Sequence, residues 1–203
     1  MHWLFVCTGN ICRSPTAERV TRAFAVKHGL SRLTASSAGT RAVVGYGMEP
    51  TAAEVLRTLG GDPKGFRARQ LSPANVDDAD LILTMTTRHR DKVLAASPRA
   101  MRRTFTLLEA GRLLAIPMAA ETVVQRLAQA RGQQTHGERV DDMATRSAWT
   151  TALSRRSAPK WSRRFGRSCM RSPKIRRCAD LRRASAAGHA RQAGVADTIT
   201  LSR

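Results

Sequence analysis

The sequence predicts an α/β domain on a four-stranded parallel sheet with helices on both faces, followed by a tail of different character. Short β-type runs alternate with longer helical patterns through the first 131 residues, as they do when helices return successive strands to the same end of a sheet. No apolar stretch approaches the ~18–20 residues of a membrane helix, and the first apolar run, His2 to Val6, is too short for a signal-peptide core. A soluble, cytoplasmic protein with no membrane contact is expected. The third observation is a break in composition. Of 35 Lys+Arg and 15 Asp+Glu, residues 144–203 hold 15 and 2, a net of +13, which leaves +7 for residues 1–143.

The elements follow in order. Trp3-Leu4-Phe5-Val6 reads as a buried strand, and the segment 7–14 as a loop. Pro15 then opens a helix, proline being well placed in a first turn. Ala17, Val20, Phe24 and Ala25 lie on its inner face and Gly29 closes it. Leu33 to Ala38 is a second strand. Pro50 to Leu59 is a helix with Ala53, Leu56 and Leu59 inward, stopped by Gly60-Gly61. Ala79 to Met85, the most apolar run, is the central strand. Arg88 to Ala96 reads as a helix and Arg103 to Leu107 as the fourth strand. Leu108 to Leu114 and Ala119 to Ala130 are the last helices.

Beyond Arg131 the pattern fails. Leu, Ile, Val and Phe number 7 of the 60 residues 144–203, below the ~20% at which a strongly charged chain can still bury a core. The division expected is therefore a domain over 1–143 and an Arg-rich, disordered tail over 144–203. The paired arginines of that tail, with Trp149, Trp161 and Phe165 interleaved, could engage phosphates and bases, but a nonfunctional extension is the reading preferred. The remaining +7 is too little to argue for such a partner, so nucleic-acid binding rests on the tail alone.

Chemistry concentrates in Val6-Cys7-Thr8-Gly9-Asn10-Ile11-Cys12-Arg13-Ser14-Pro15, between the first strand and the first helix. A Cys followed six residues later by Arg, on a turn delivering backbone N–H groups into a helix N-terminus, is what a phosphate-shaped anion needs. It supplies several donors, a positive helix end and a guanidinium fork. The same field favours a thiolate nucleophile at Cys7. Ser14 can donate to that thiolate, Gly9 lets the backbone turn toward the anion, and Asn10 tolerates a left-handed conformation while bridging the loop. The phosphate-binding set is thus Thr8, Gly9, Asn10, Ile11, Cys12, Arg13 and Ser14.

These ten residues resemble the signature of the low-molecular-weight protein tyrosine phosphatases. The likeness extends to Ser36-Ser37-Ala38-Gly39-Thr40, to Ala79-Asp80-Leu81-Ile82-Leu83-Thr84-Met85 and to Phe105-Thr106-Leu107-Leu108-Glu109, over about residues 1–142. The resemblance implies a four-stranded parallel doubly wound sheet, flavodoxin-like and phosphotyrosine protein phosphatase I-like. It also implies hydrolysis of a phosphotyrosine protein or small aryl phosphoester through a cysteinyl-phosphate. Cys7 would be nucleophile and Arg13 phosphate clamp, with no metal and no organic cofactor.

The sequence departs from that family at the general acid, which family members carry as Asp-Pro on a loop near the C-terminus. Here the matching region reads Arg139-Val140-Asp141-Asp142-Met143-Ala144-Thr145. Asp142, with Asp141 beside it, is the candidate by proximity. Codons read from the third base of Ala144 permit Asp-Pro-Ile-Gly-Leu-Asp, so residues 145–203 carry the marks of out-of-frame translation; resequencing the locus checks this. A catalytically impaired phosphate-binding module is the alternative reading. The aromatic residues that flank the family's site are also missing before Tyr46.

The other candidates stay open or fall away. Cys7, Cys12, Cys169 and Cys178 form neither a secreted disulfide framework nor a zinc set. Cys12 suits either a core position or a reversible disulfide with Cys7. His2, His28, His89, His136 and His189 show no ligand spacing and read as solvated or satisfied side chains.

Overall fold

A computed structural model describes residues 1–117, 119–133 and 142–143. The Arg-rich tail from 144 onward and Asp141 lie outside the described residues, as do the expectations attached to them. Four strands, β1 (His2–Cys7), β2 (Thr34–Gly39), β3 (Leu81–Thr84) and β4 (Thr104–Thr106), pair in parallel in the order β2-β1-β3-β4.

Successive side chains of a strand point to opposite faces, so the sheet buries two layers. Trp3, Phe5, Cys7, Leu81 and Leu83 face one of them. There they meet α1 (Arg13–Lys27), α2 (Pro50–Thr58), α5 (Leu107–Leu113) and α6 (Val123–Gly132). Leu4, Val6 and Ile82 face the other, under α3 (Pro73–Asp77), α4 (Thr87–Ala96) and the 3-10 turn Pro98–Arg103. Buried on both faces, β1 and β3 are accordingly continuous apolar runs.

Two boundaries move. The expected Ala119 to Ala130 helix starts at Val123, because Thr122 and Gln125 close a capping box there. The first helix begins at Arg13 rather than Pro15, which places Arg13 and Ser14 in its opening turn. It ends as Gly29 suggests: Gly29 has φ 65°, and Leu30 and Gly29 donate to the carbonyls of Ala25 and Val26 at 2.8 and 3.2 Å, a Schellman closure. The α3 helix, five residues capped by Ser72, is too short for periodicity to reveal.

Strand order places the site. The chain goes from β1 to β2 on one side and to β3 on the other, and in such sheets ligands bind beyond the carboxyl ends of the strands where the order switches. The β1 and β3 registers bring Val6 opposite Thr84. The loop after Cys7 and the loop before α4 therefore open at the same edge.

Candidate active site

The loop after β1 is held with its carbonyls outward. The carbonyls of Cys7, Thr8, Gly9 and Ile11 accept from the amides of Thr40, Arg41, Val43 and Glu49 at 2.8–3.0 Å. That of Cys12 accepts from Thr16 through both its amide and its hydroxyl, at 3.1 and 2.9 Å. With the carbonyls committed outward, the amides of the loop are free to converge on an anion. The approach of the two loops requires Gly39: a Cβ there would lie 2.5 Å from the Thr8 carbonyl oxygen.

Asn10 makes the tight turn. It alone among described non-glycine residues has positive φ, 53°, and its buried side chain ties three segments together. Its Nδ2 donates to Ser14 Oγ at 2.9 Å and to Ser37 Oγ at 2.8 Å, and its Oδ1 accepts the Arg69 amide at 2.8 Å. Ser37 in turn donates to Glu18 Oε2 at 2.7 Å. Arg22 meets the other oxygen of that buried carboxylate at 3.0 Å. The inner face of α1 is therefore partly polar, with Ser14, Glu18 and Thr21 buried beside Ala17 and Ala25, whereas its apolar spacing alone favoured Val20 and Phe24.

Cys7 ends β1, 3% exposed, with Sγ 2.9 Å from Ser14 Oγ. No side-chain cap closes the first turn of α1, which leaves the positive helix end directed at the loop. Arg13 Nη1 reaches the Met143 carbonyl at 3.4 Å. The Met143 amide donates to the Met85 carbonyl at 2.8 Å, and the Thr87 amide to Asp142 Oδ1 at 2.6 Å. Residues 142–143 are thereby fixed across the ends of β3 and α4.

A cavity of about 650 Å³ opens here, lined by Thr8, Arg13, Thr40, Arg41, Thr86, Arg88, His89, Lys92, Asp142 and Met143. Of the expected site residues, Thr8, Arg13 and Asp142 stand on its wall, and Cys7, Asn10, Cys12 and Ser14 are buried. Tyr46 is 67% exposed and is not on the wall, which is basic rather than aromatic.

Spacing in the sequence does not single out His89. It is 6% exposed, with Nε2 2.8 Å from Thr8 Oγ1 and Nδ1 2.8 Å from Thr86 Oγ1. Burial above all lowers its pKa from 6.5 to about 4; Arg13 and Arg88 push the same way and Asp142 opposes them. It is a satisfied histidine, as its scattered context suggested, yet it belongs to the site. The local signal was Thr86 as an N-cap just ahead of it.

Comparison with known proteins agrees with this geometry. The sequence model described as low molecular weight phosphotyrosine protein phosphatase matches residues 2–110. Wzb of Escherichia coli K12, named a low molecular weight protein-tyrosine-phosphatase, is 42% identical over 95 residues, 47% of this chain and 61% of that protein. EpsP of Ralstonia solanacearum, named a probable enzyme of the same kind, is 39% identical over 106 residues, 52% of this chain and 70% of that protein. The crystal structure of a low molecular weight protein tyrosine phosphatase from T. tengcongensis superposes with a TM-score of 0.52 at 30% identity, covering 65% of this chain and 93% of the other. The chain spans about three-fifths of the length of the Escherichia coli relative.

Proposed function

The chain belongs to the low molecular weight phosphotyrosine protein phosphatase family, and from that premise we propose that it hydrolyses aryl phosphomonoesters, phosphotyrosine in proteins among them, with Cys7 as nucleophile. The observation that carries the reading is the outward commitment of the loop carbonyls around Cys7, Thr8, Gly9 and Ile11, beside a thiol 2.9 Å from Ser14. A tetrahedral oxyanion placed over Cys7 would meet the loop amides, the α1 N-terminus and the Arg13 fork.

Two steps follow. Cys7 sulfur attacks phosphorus as the bond to the leaving oxygen breaks, while Arg13 and the loop amides hold the three equatorial oxygens. Water then attacks the cysteinyl-phosphate, the S–P bond breaks, and phosphate and the thiolate are regenerated. Ser14 donates to the sulfur throughout.

Asp142 is the general-acid candidate, a carboxylate on the cavity wall. Its Oδ1 also accepts the Thr87 amide at 2.6 Å, which commits one of its two oxygens. Proton delivery to the leaving oxygen from Asp142 then falls to Oδ2 alone. Activated aryl phosphates should be cleaved much faster than phosphotyrosine. The same bond favours the second reading, a phosphate-binding module with residual turnover. Hydrolysis of p-nitrophenyl phosphate by the full chain, abolished by Cys7→Ala, is the expected result. Equal rates in the two proteins would overturn the assignment. Turnover too slow to measure, with phosphotyrosine-peptide binding retained, would select the module.

A further inference from the structure

We propose that His89 is a positioning residue of this site: as the neutral tautomer with its proton on Nε2, it donates to Thr8 Oγ1 and so turns the Thr8 hydroxyl hydrogen toward an oxygen of the bound phosphoester. The proposal deepens the phosphatase reading and rests on it for the identity of the anion.

Hydrogen-bond accounting favours this tautomer. The Thr86 hydroxyl is the N-cap of α4 and accepts the His89 amide at 3.3 Å. One hydrogen remains to it, and among the described residues its other partner is His89 Nδ1 at 2.8 Å. Given to Nδ1, that hydrogen makes Nδ1 the bare nitrogen of the ring, and the cap and the ring are then satisfied together. A neutral imidazole carries one N–H, so Nε2 holds it and Thr8 Oγ1, 2.8 Å away, accepts. Thr8 keeps its own hydrogen. Among the described residues no other group bonds that hydroxyl, and Thr8 stands on the wall of the cavity.

The surroundings keep the ring neutral. Burial, Arg13 on α1 and Arg88 on α4 all oppose a charge on His89, and Asp142 opposes them only in part. Lys92 and Arg41 line the same cavity and add to the positive field. A charged imidazolium would donate from both nitrogens, so the Thr86 hydroxyl would have to accept twice and turn its own hydrogen away from the ring. The arrangement joins the phosphate loop to α4, 81 residues away in sequence, through one ring, so the Thr8 rotor is set by α4 rather than by the phosphate loop itself.

Two measurements test it on the full chain. Two-bond ¹H–¹⁵N NMR correlations should show His89 as the Nε2–H tautomer from pH 5.5 to 8. An Nδ1–H tautomer or an imidazolium in that range overturns the proposal. Orthovanadate binding to Thr8→Val, His89→Ala and the double variant forms a cycle. Each single change should weaken binding about tenfold, and the double no further, since both remove the same donor. His89→Gln, whose amide can donate from nearly the Nε2 position, should recover binding to within about threefold, which covers the case in which the alanine variant folds poorly. Additive losses, or unchanged binding in His89→Gln and His89→Ala alike, sink the proposal. If aryl phosphate hydrolysis is absent while the cycle behaves as described, the phosphatase reading falls and the positioning role stands. Hydrolysis abolished by Cys7→Ala together with an additive cycle leaves the phosphatase reading standing and removes the positioning role.

Discussion

Asn10 donates to Ser14 at 2.9 Å from a nitrogen that also donates to Ser37 at 2.8 Å. Because Ser14 Oγ accepts from Asn10, its hydroxyl hydrogen is available to Cys7, 2.9 Å away. Ser37 is oriented the same way, since its hydrogen goes to the buried Glu18 carboxylate. Glu18, buried on α1, thus fixes the sense of hydrogen bonding up to the Cys7 thiol.

Removing the middle of that chain should be costly. Asn10→Ala loses three side-chain bonds inside the protein and puts alanine at a left-handed backbone position. A loss of about 2–4 kcal/mol in urea denaturation is expected. Ser14→Ala should cost about 1 kcal/mol of stability and slow hydrolysis of p-nitrophenyl phosphate about tenfold.

Gly39→Ala should disturb the site without touching it. The added carbon would sit 2.5 Å from the Thr8 carbonyl oxygen, which is backbone and cannot swing aside. Overpacking of this kind costs about 1–3 kcal/mol. Orthovanadate affinity, measured below the unfolding transition, should fall as well, because the two loops can no longer approach.

Arg13→Lys keeps a cation but not a fork. Oxyanion affinity should drop about 10- to 100-fold. Titration of orthovanadate against the two proteins reads this directly, and equal affinities would show that the guanidinium does not contact the anion.

The leaving group should matter more than in an enzyme with an unencumbered acid. Asp142→Asn keeps an oxygen for the Thr87 amide and removes any proton supply. If Asp142 delivers that proton, phosphotyrosine turnover falls by about 10²-fold or more, while an activated aryl ester is little affected. A plot of log kcat against leaving-group pKa for both proteins measures the difference as a steeper slope in the variant.

Stability should depend on pH through His89. Its pKa is about 4 in the folded protein against 6.5 for an ordinary histidine, so between those values the unfolded chain binds the extra proton. Stability is full above pH 6.5 and is lost as pH falls toward 4, by about 3 kcal/mol in total. Urea midpoints over that range should drop in wild type and flatten in His89→Gln.

Much of this was legible in the sequence, and what was not has physical causes. The buried strands showed because β1 and β3 are apolar on both faces. The phosphate loop showed because its chemistry is local, ten consecutive residues between one strand and one helix. His89 did not show, because Thr8 reaches it only through the fold. Glu18 was hidden in an apolar periodicity that takes no account of a carboxylate buried with its partners. The wall of the cavity was equally hidden: Arg41, Arg88 and Lys92 come from two distant segments, and each alone is an ordinary surface cation.

The ladder between residues 40–49 and the phosphate loop divides that segment into a part that can vary and a part that cannot. Its backbone at Thr40, Arg41, Val43 and Glu49 supplies donors that orient the loop, whereas the side chains of Arg41, Val44 and Tyr46 project to solvent. Side chains there are therefore replaceable at constant length without disturbing the ladder. A proline at any of the four donor positions, or a one-residue deletion, would instead dismantle the phosphate site. Diversification of this segment should tolerate almost any chemistry at Val44 and Tyr46 and almost no change in spacing.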